Sequence, residues 1–216
     1  PGPGPAGLAP WGGDDDGGGT MARLEVAEAF GTAPEKPRRS LLFVWHVAEE
    51  GGLLGAEYFT DHPTVPRDSI VAQINVDMIG RGGAMDTPGG GPGYVQLIGA
   101  RRLSTELGDI VEAQGREFTS PPFRFDYQYD ANNHPQQFYC RSDHYMYARY
   151  GIPVVFMSTG GHPEYHQVTD EPQYIDYNQL ARVSRLMFET AGAVANLDHR
   201  LVVDKPKPDP NAQCRQ

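Results

Sequence analysis

The stretch Ile70-Val71-Ala72-Gln73-Ile74-Asn75-Val76-Asp77-Met78-Ile79-Gly80 decides the fold of this chain. The residues before Asp77 are mostly apolar, which is typical of a strand covered on both faces, and a carboxylate follows where that strand ends. Three further apolar runs predict strands of the same kind, at residues 41–45, 94–98 and 152–157. Because ligands of open α/β sheets bind beyond the carboxyl ends of the strands, Asp77 marks a candidate site.

Helical patterns accompany these strands. Apolar residues recur at helical spacing over residues 20–30, 103–111 and 180–194. Thr20 is the candidate N-cap of the first helix, and Asp176 with Gln179 predicts a capping box ahead of the last one. Strands that alternate with helices predict an α/β fold with a mostly parallel sheet covered on both faces.

The chain is acidic and rich in glycine and proline, with 216 residues, 26 glycines, 19 prolines and a net charge of −10. The glycines and prolines concentrate in residues 1–19 and 82–93, so the remainder has the composition of an ordinary globular domain. We predict a single domain over residues 1–200 and a flexible tail over residues 201–216. The glycine-rich segment 82–93 follows the Asp77 motif and is expected to border the site.

Charge and hydropathy argue against two classes of partner. Basic runs are no longer than two residues, as at Arg101-Arg102, so the chain lacks the positive surface that nucleic acids or anionic membranes require. No stretch of eighteen apolar residues occurs, and no bilayer-spanning segment is predicted. Cys140 and Cys214 lack the spacing of a metal or redox motif and indicate neither a compartment nor a metal site.

Acidic and histidine residues gather in four loops, which contain Asp14-Asp15-Asp16, Glu49-Glu50, Asp77 and His162 to His166. Each has an ordinary interpretation by itself: an acidic linker, the solvated start of a helix, an ion pair, and a hydrogen-bonded histidine. All four follow predicted strands or precede a predicted helix, which favours one common site. Crowded carboxylates need a cation, and Asp, Glu and His without Cys suit zinc or a harder divalent ion.

These motifs resemble those of the M28 family of co-catalytic zinc peptidases, most of which are aminopeptidases. The resemblance runs from about residue 12 to residue 197. It implies a phosphorylase/hydrolase-like three-layer α/β/α sandwich with a mixed sheet, and two zinc ions. The motifs that carry it are Gly13-Asp14-Asp15-Asp16-Gly17-Gly18-Gly19, Ala48-Glu49-Glu50-Gly51-Gly52-Leu53-Leu54-Gly55, Asn75-Val76-Asp77-Met78-Ile79-Gly80, Ser142-Asp143-His144-Tyr145 and Tyr165-His166.

The resemblance also implies a ligand set. Asp15 corresponds to the carboxylate that bridges both metals, and Glu50 and His166 complete one zinc site with it. Asp77 belongs to the other zinc, together with a histidine from a His-x-Asp motif that residues 1–13 do not contain. Either the gene product continues upstream or the protein is a variant with an impaired site. We favour a domain that lacks its N-terminal strands and expect at most one tightly held zinc.

Further roles follow from position and resemblance. Glu49 is predicted to be the general base, because neighbouring residues diverge by about 100° on a helix or 180° on a strand, which lets Glu50 face the metal. Tyr165 either donates a hydrogen bond to the developing oxyanion or packs against the Gly160-Gly161 loop.

The remaining assignments concern residues around the ligands. Asp143 and Asp170 are expected to orient His166 or other ligands. His46 is predicted to be a hydrogen-bonded core residue, with a substitute ligand as the alternative. His144 is expected near the substrate.

The favoured function is a metallo-exopeptidase that removes N-terminal residues from peptides with a free N-terminus. The alternatives are a single-zinc acyltransferase of the glutaminyl-cyclase type and a non-catalytic peptidase-like binding module. Resemblance to the family suggests a secreted or periplasmic protein, although the chain shows no signal peptide.

Overall fold

The computed structural model describes residues 12–81 and 93–216. Residues 1–11 lie outside this description. They make up most of the segment 1–13, in which no His-x-Asp motif occurs. The predicted site-bordering segment also lies outside the description, apart from its last residue, Gly93. The helices are α1 (Gly19–Thr32), α2 (Leu54–Asp61), α3 (Thr105–Phe118), α4 (His144–Ala148) and α5 (Tyr177–Asn196). The strands are β1 (Gln73–Val76), β2 (Tyr94–Ile98), β3 (Arg124–Asp126) and β4 (Val154–Ser158).

The strands form one mixed sheet in the order β1-β4-β2-β3. β1 pairs with β4 in parallel and β2 with β3 in parallel, whereas β2 and β4 are antiparallel. This topology confirms the predicted mostly parallel sheet. Since Val76 is in register with Met157, the loops after β1 and β4 leave the sheet at the same edge.

The two faces of the sheet carry different cores. Val155 and Met157 on β4 join a cluster with residues of α1, α3 and α5, while Val154 and Phe156 join an aromatic cluster with α4. Alternating side chains of one strand thus serve both faces, as expected in a pleated strand. The predicted three-layer α/β/α arrangement is confirmed.

The predicted strand at residues 41–45 is wrong. This segment has no regular strand structure, and Leu42 and Trp45 are 56% and 39% exposed. A strand needs a neighbour for its backbone groups, and within the described residues β1 is hydrogen-bonded only to β4. Apolar character alone did not reveal this lack of a partner. Conversely, β3 is a strand of three residues that no hydrophobic pattern predicted.

Helix α5 begins as predicted, with one difference. The carboxylate of Asp176 accepts hydrogen bonds from the backbone N–H groups of Asn178 and Gln179, which confirms it as the N-cap. The Gln179 side chain does not complete the capping box; its amide donates to the carbonyl of Tyr94 on β2 (2.7 Å). Helix α1 begins at Gly19, after Gly18, without a side-chain cap, so Thr20 is not its N-cap.

Residues 201–216 are anchored to the domain, where the sequence predicted a flexible tail. Cys214 forms a disulfide with Cys140, across a sequence separation of 74 residues. The carbonyl of Gln216 accepts a hydrogen bond from the N–H of Asn133 (2.8 Å). The polar composition of the segment did not indicate this, because the pairing of two distant cysteines depends on the tertiary structure.

Candidate metal centre

The structure brings together Asp15, Glu50 and His166, which we call the three-ligand group. One potential ligand atom from each lies within 4.8 Å of the others. His166 Nε2 is 3.0 Å from Glu50 Oε1 and 3.3 Å from Asp15 Oδ2. Ligands at about 2.0–2.1 Å from a tetrahedral zinc ion are separated by roughly 3.3 Å, so these atoms already have suitable spacing. Three protein ligands and one water make a sufficient zinc site.

Asp77 lies beside this group, in a different environment. Its Oδ2 accepts a hydrogen bond from Ser142 Oγ (3.1 Å), which in turn accepts one from Asn75 Nδ2 (2.9 Å). Its Oδ1 is buried without a hydrogen-bond partner among the described residues. A buried carboxylate oxygen without a partner is costly, so the second face of Asp77 is suited to a cation.

The carboxyl groups at this edge resist ionisation in the absence of a cation. Burial, reinforced by neighbouring carboxylates that include Asp77, raises the pKa of Asp15 to about 8. Burial and the charge of Asp77 likewise raise the pKa of Glu49 to about 8. The pKa of Asp77 is raised by burial to about 6, and the Ser142 hydrogen bond opposes a further rise. A divalent cation would reverse this tendency by stabilising the charged forms.

Backbone contacts position the candidate ligands. The carboxylate of Asp170 is buried and accepts hydrogen bonds from the N–H groups of Asp14 and Asp15, at 3.0–3.1 Å. Asp170 was predicted to orient a ligand. Its hydrogen bonds are to the turn that carries Asp15, and it has none to His166. His166 has a φ of 58°, a left-handed conformation that is uncommon for a residue other than glycine and is associated with functional sites.

A buried network that the sequence did not reveal connects the loops. The carboxylate of Asp14 accepts a hydrogen bond from the N–H of Gly80 (2.6 Å) and lies 3.4 Å from His162 Nε2. On the other side of the ring, Glu164 lies 3.4 Å from Nδ1 and pairs with Arg81 (2.7 Å). These contacts join the segments that carry Asp15, Asp77 and His166. The acidic run and the nearby histidine were visible in the sequence, but their contact was not.

Residues 2–191 match the sequence profile of Peptidase family M28. The chain belongs to this family. The match covers most of the 216 residues and includes every residue that we predicted to be a ligand.

Curated relatives of this M28 chain include leucine aminopeptidase 1 of Ajellomyces dermatitidis, which is 26% identical over 205 residues. That alignment covers 90% of this chain and 50% of the relative, so the chain spans about half the length of that protein. Leupeptin-inactivating enzyme 1 of Streptomyces exfoliatus is 40% identical over 68 residues, which cover 31% of this chain and 16% of the relative.

Solved structures share the fold. LapA aminopeptidase of Legionella pneumophila superposes with a TM-score of 0.70 at 20% identity, over 87% of this chain and 48% of LapA. BSAP, a zinc aminopeptidase from Bacillus subtilis, has a TM-score of 0.65 at 18% identity, over 90% of this chain and 46% of BSAP. The glutaminyl cyclase of Porphyromonas gingivalis has a TM-score of 0.62 at 20% identity, over 85% of this chain and 64% of the cyclase.

In this M28 chain, Asp15, Glu49, Glu50 and Asp77 line one cavity of about 470 Å³. Tyr165 also lines it, and its ring stacks on His166 at a centroid distance of 3.8 Å. Its other walls are largely apolar or contain sulfur, and they include the Cys140–Cys214 disulfide together with the polar side chains of Arg141 and Ser142. The cavity therefore combines an acidic edge with room for an apolar side chain.

Three other predicted roles have structural outcomes. His46 Nε2 lies 3.0 Å from the Tyr147 hydroxyl, which supports the hydrogen-bonded core interpretation over that of a substitute ligand. The expectation that His144 is near the substrate is wrong. His144 is completely buried in the aromatic cluster, and burial lowers its pKa to about 3. Asp143 has no hydrogen bond to His166, and its pKa is raised to about 6 by burial and the charge of Asp77.

None of the helices in the described residues combines the length and hydropathy that a transmembrane segment needs.

Proposed function

We propose that the protein is a zinc-dependent aminopeptidase and that this chain carries its hydrolytic residues. The observation that carries the proposal is the position of Glu49. It lines the same cavity as Asp15 and Glu50 of the three-ligand group and adjoins Glu50 in sequence. A carboxyl group that faces the cavity and is not needed as a ligand is placed to exchange a proton with a water molecule bound there.

We propose that Asp15, Glu50 and His166 hold one zinc ion, with Asp77 and Asp15 facing a second position. When bound, zinc supplies a Lewis acid that polarises the scissile carbonyl and lowers the pKa of water. Glu49 takes a proton from the attacking water and later delivers it to the departing amine. The acidic edge also favours the positively charged α-amino group of a peptide with a free N-terminus.

Tyr165 is proposed to stabilise the oxyanion. Its hydroxyl oxygen accepts a hydrogen bond from Arg141 Nη2 (3.1 Å), which leaves its own proton available for donation into the cavity. The stacking of its ring on His166 fixes the hydroxyl relative to the three-ligand group. Both features support a role in the reaction over packing against the glycine loop alone.

Replacement of the base tests the proposal. The chain supplied with zinc is expected to hydrolyse aminoacyl amides. Glu49→Gln should lower kcat about 10²- to 10⁴-fold with the zinc content unchanged, because the substitution removes only proton transfer. Glu25→Gln, at an exposed position on α1, is the matched control. No hydrolysis by the parent chain would refute the peptidase proposal, and an unaffected Glu49→Gln would refute the role of the base.

A glutaminyl-cyclase-type acyltransferase is the second candidate. Two observations favour it: the fold similarity to the Porphyromonas gingivalis enzyme, and the single group of three side chains in the described residues that could hold a metal ion. A peptide with N-terminal glutamine separates the two proposals, because a cyclase releases ammonia and a peptidase releases free glutamine. A non-catalytic module would bind zinc and produce neither. The presence of Glu49 in the cavity argues against that third candidate.

We propose export to an oxidising compartment, either outside the cell or in a periplasm. The Cys140–Cys214 disulfide supports this location, because disulfides persist mainly in oxidising environments. Non-reducing mass spectrometry of the protein isolated from its native compartment tests the proposal; two free thiols would contradict it.

A further inference from the structure

The cavity has one basic side chain among its described lining residues, that of Arg141. The charged residues on the other walls are Asp15, Glu49, Glu50 and Asp77. A free α-amino group and metal ions account for the acidic side of such a cavity. Neither accounts for a guanidinium group there.

Contacts on several sides hold Arg141 in place. Its N–H donates to the carbonyl of Phe138 (3.2 Å), and its guanidinium lies 5.3 Å from the Phe138 ring centre. The preceding residue, Cys140, is fixed by its disulfide to Cys214. The Nη2 group of Arg141 donates a hydrogen bond to the Tyr165 hydroxyl (3.1 Å). The backbone of Arg141 is therefore fixed, and its exposed guanidinium is oriented by the Tyr165 hydroxyl and the Phe138 ring.

Arg141 is exposed, and most of the N–H groups of its guanidinium have no partner within the described residues. The guanidinium has five N–H donors in a planar fork, and in the described part of the chain only the Tyr165 hydroxyl accepts from it. No carboxylate of the described residues lies within 4.0 Å of it, although other arginines such as Arg81 and Arg102 are paired with carboxylates. The planar fork matches a carboxylate, which it can bind through two parallel hydrogen bonds.

We propose that Arg141 binds a substrate carboxylate on the leaving-group side of the scissile bond, which favours substrates that carry a negative charge there. The inference rests on the proposed aminopeptidase function. In a dipeptide, the terminal carboxylate is three bonds from the scissile carbonyl carbon, or roughly 4 Å away. Arg141 contacts Tyr165, the proposed oxyanion donor, and so lies one hydrogen bond from the scissile carbonyl. The carboxylate comes from the C-terminus of a dipeptide or from an acidic second residue.

Paired substrates test the proposal in the zinc-supplied chain. Leu-Gly is compared with Leu-Gly-amide, and Leu-Asp-amide with Leu-Asn-amide, so that each pair differs by one carboxylate. In at least one pair, kcat/KM is expected to be about tenfold higher for the substrate with the additional carboxylate. The difference should arise from a lower KM for that substrate. The pair that shows it identifies the source of the carboxylate. Equal kcat/KM values within both pairs would overturn the proposal.

Variants separate carboxylate binding from support of Tyr165. In Arg141→Ala the preference should disappear, and in Arg141→Lys a part of it should remain. Arg215→Ala, which removes an exposed arginine beside Cys214 that does not line this cavity, should retain it. If Arg141→Ala lowers kcat by the same factor for both members of each pair, Arg141 acts only through Tyr165 and the proposal fails.

A binding measurement distinguishes failure of this inference from failure of the proposed function. The chelator-treated chain does not turn peptides over, so NMR titration with Leu-Gly and its amide reports binding alone. Carboxylate-dependent binding that Arg141→Ala abolishes would support the subsite even if no peptide were hydrolysed. The subsite proposal would be overturned by two results together. The first is that the parent chain and Arg141→Ala bind Leu-Gly equally well. The second is that the paired kinetics show no preference for Leu-Asp-amide over Leu-Asn-amide.

Discussion

The three-ligand group and the neighbouring pair of Asp77 and Ser142 differ in what stabilises their carboxylates. In the three-ligand group, the potential ligand atoms of Asp15, Glu50 and His166 face one another at close distance. Asp77 instead receives a hydrogen bond from Ser142, and no histidine of the described residues joins it in a possible metal-binding group. A cation would stabilise the ionised form of the first group, whereas Asp77 is partly stabilised by the hydrogen bond from Ser142.

The pKa values express the same difference. Burial and nearby carboxylates raise the pKa of Asp15 to about 8. Asp77 is more deeply buried, yet its pKa is raised only to about 6, because the Ser142 hydrogen bond and the charge of Arg23 oppose the effect of burial. The Ser142 hydroxyl and the charge of Arg23 together therefore reduce the effect of burial on Asp77.

The strongest test of this difference removes the proposed nitrogen ligand. His166→Ala should weaken zinc binding about 1000-fold, or roughly 4 kcal/mol, because two carboxylates without a histidine remain in the group. Isothermal titration calorimetry against a competing chelator measures the change. His62→Ala, at an exposed position, should bind zinc like the parent chain. A change of less than tenfold in His166→Ala would show that the three-ligand group is not the zinc site.

Metal removal should make stability fall as pH rises. Between the ordinary pKa of about 4 and the folded value of about 8, Asp15 and Glu49 hold protons in the folded state that they release on unfolding. Unfolding then releases protons, so the free energy of unfolding of the metal-free chain should decrease by roughly 3–4 kcal/mol for each of these groups between pH 5 and pH 8. Denaturant titration at both pH values measures it.

Zinc and a variant provide the controls for this pH dependence. Saturating zinc should reverse the trend, because zinc binds the deprotonated ligands. Asp15→Asn should flatten the curve of the metal-free chain, since the amide does not titrate. A metal-free chain that becomes more stable toward pH 8 would contradict the assignment of raised pKa values to these carboxyl groups.

A smaller effect is expected from the residue that positions Asp15. Asp170→Asn keeps the shape of the side chain but places an amide donor against the N–H groups of Asp14 and Asp15. Zinc affinity should fall about tenfold, as is typical when a group that orients a ligand is changed. Asp198→Asn, at an exposed carboxylate, is the control. Unchanged zinc affinity in Asp170→Asn would mean that the turn holds its conformation without this contact.

Much of the fold could be predicted from local sequence. Residues 94–98 became β2 with the predicted bounds, since a short apolar run between turns fits few other structures. Residues 41–45 look similar in sequence and failed, because a strand also requires a partner strand. Propensity and pattern describe a segment, whereas pairing depends on what lies next to it.

The candidate site was likewise only partly predictable from the sequence. The resemblance to the M28 motifs implied Asp15, Glu50 and His166 as one set, and the structure places a potential ligand atom of each within 4.8 Å of the others. The contacts that tune the site link residues far apart in sequence: Ser142 lies 65 residues from Asp77 and Cys214 lies 74 residues from Cys140. Such contacts have no local signal, so the sequence did not predict them.

The smallest effect should come from Asp77→Asn, which separates the two groups of side chains. The affinity for the first zinc should change less than about threefold, because loss of a nearby negative charge is opposed by easier ionisation of Asp15, whose pKa the Asp77 charge helps to raise. Zinc binding at pH 7 should also release fewer protons, which calorimetry in buffers of different ionisation enthalpy measures. Asp68→Asn, at an exposed position, should change neither quantity. A loss of first-zinc affinity as large as that of His166→Ala would show that Asp77 belongs to the same metal site and that the two groups act as one.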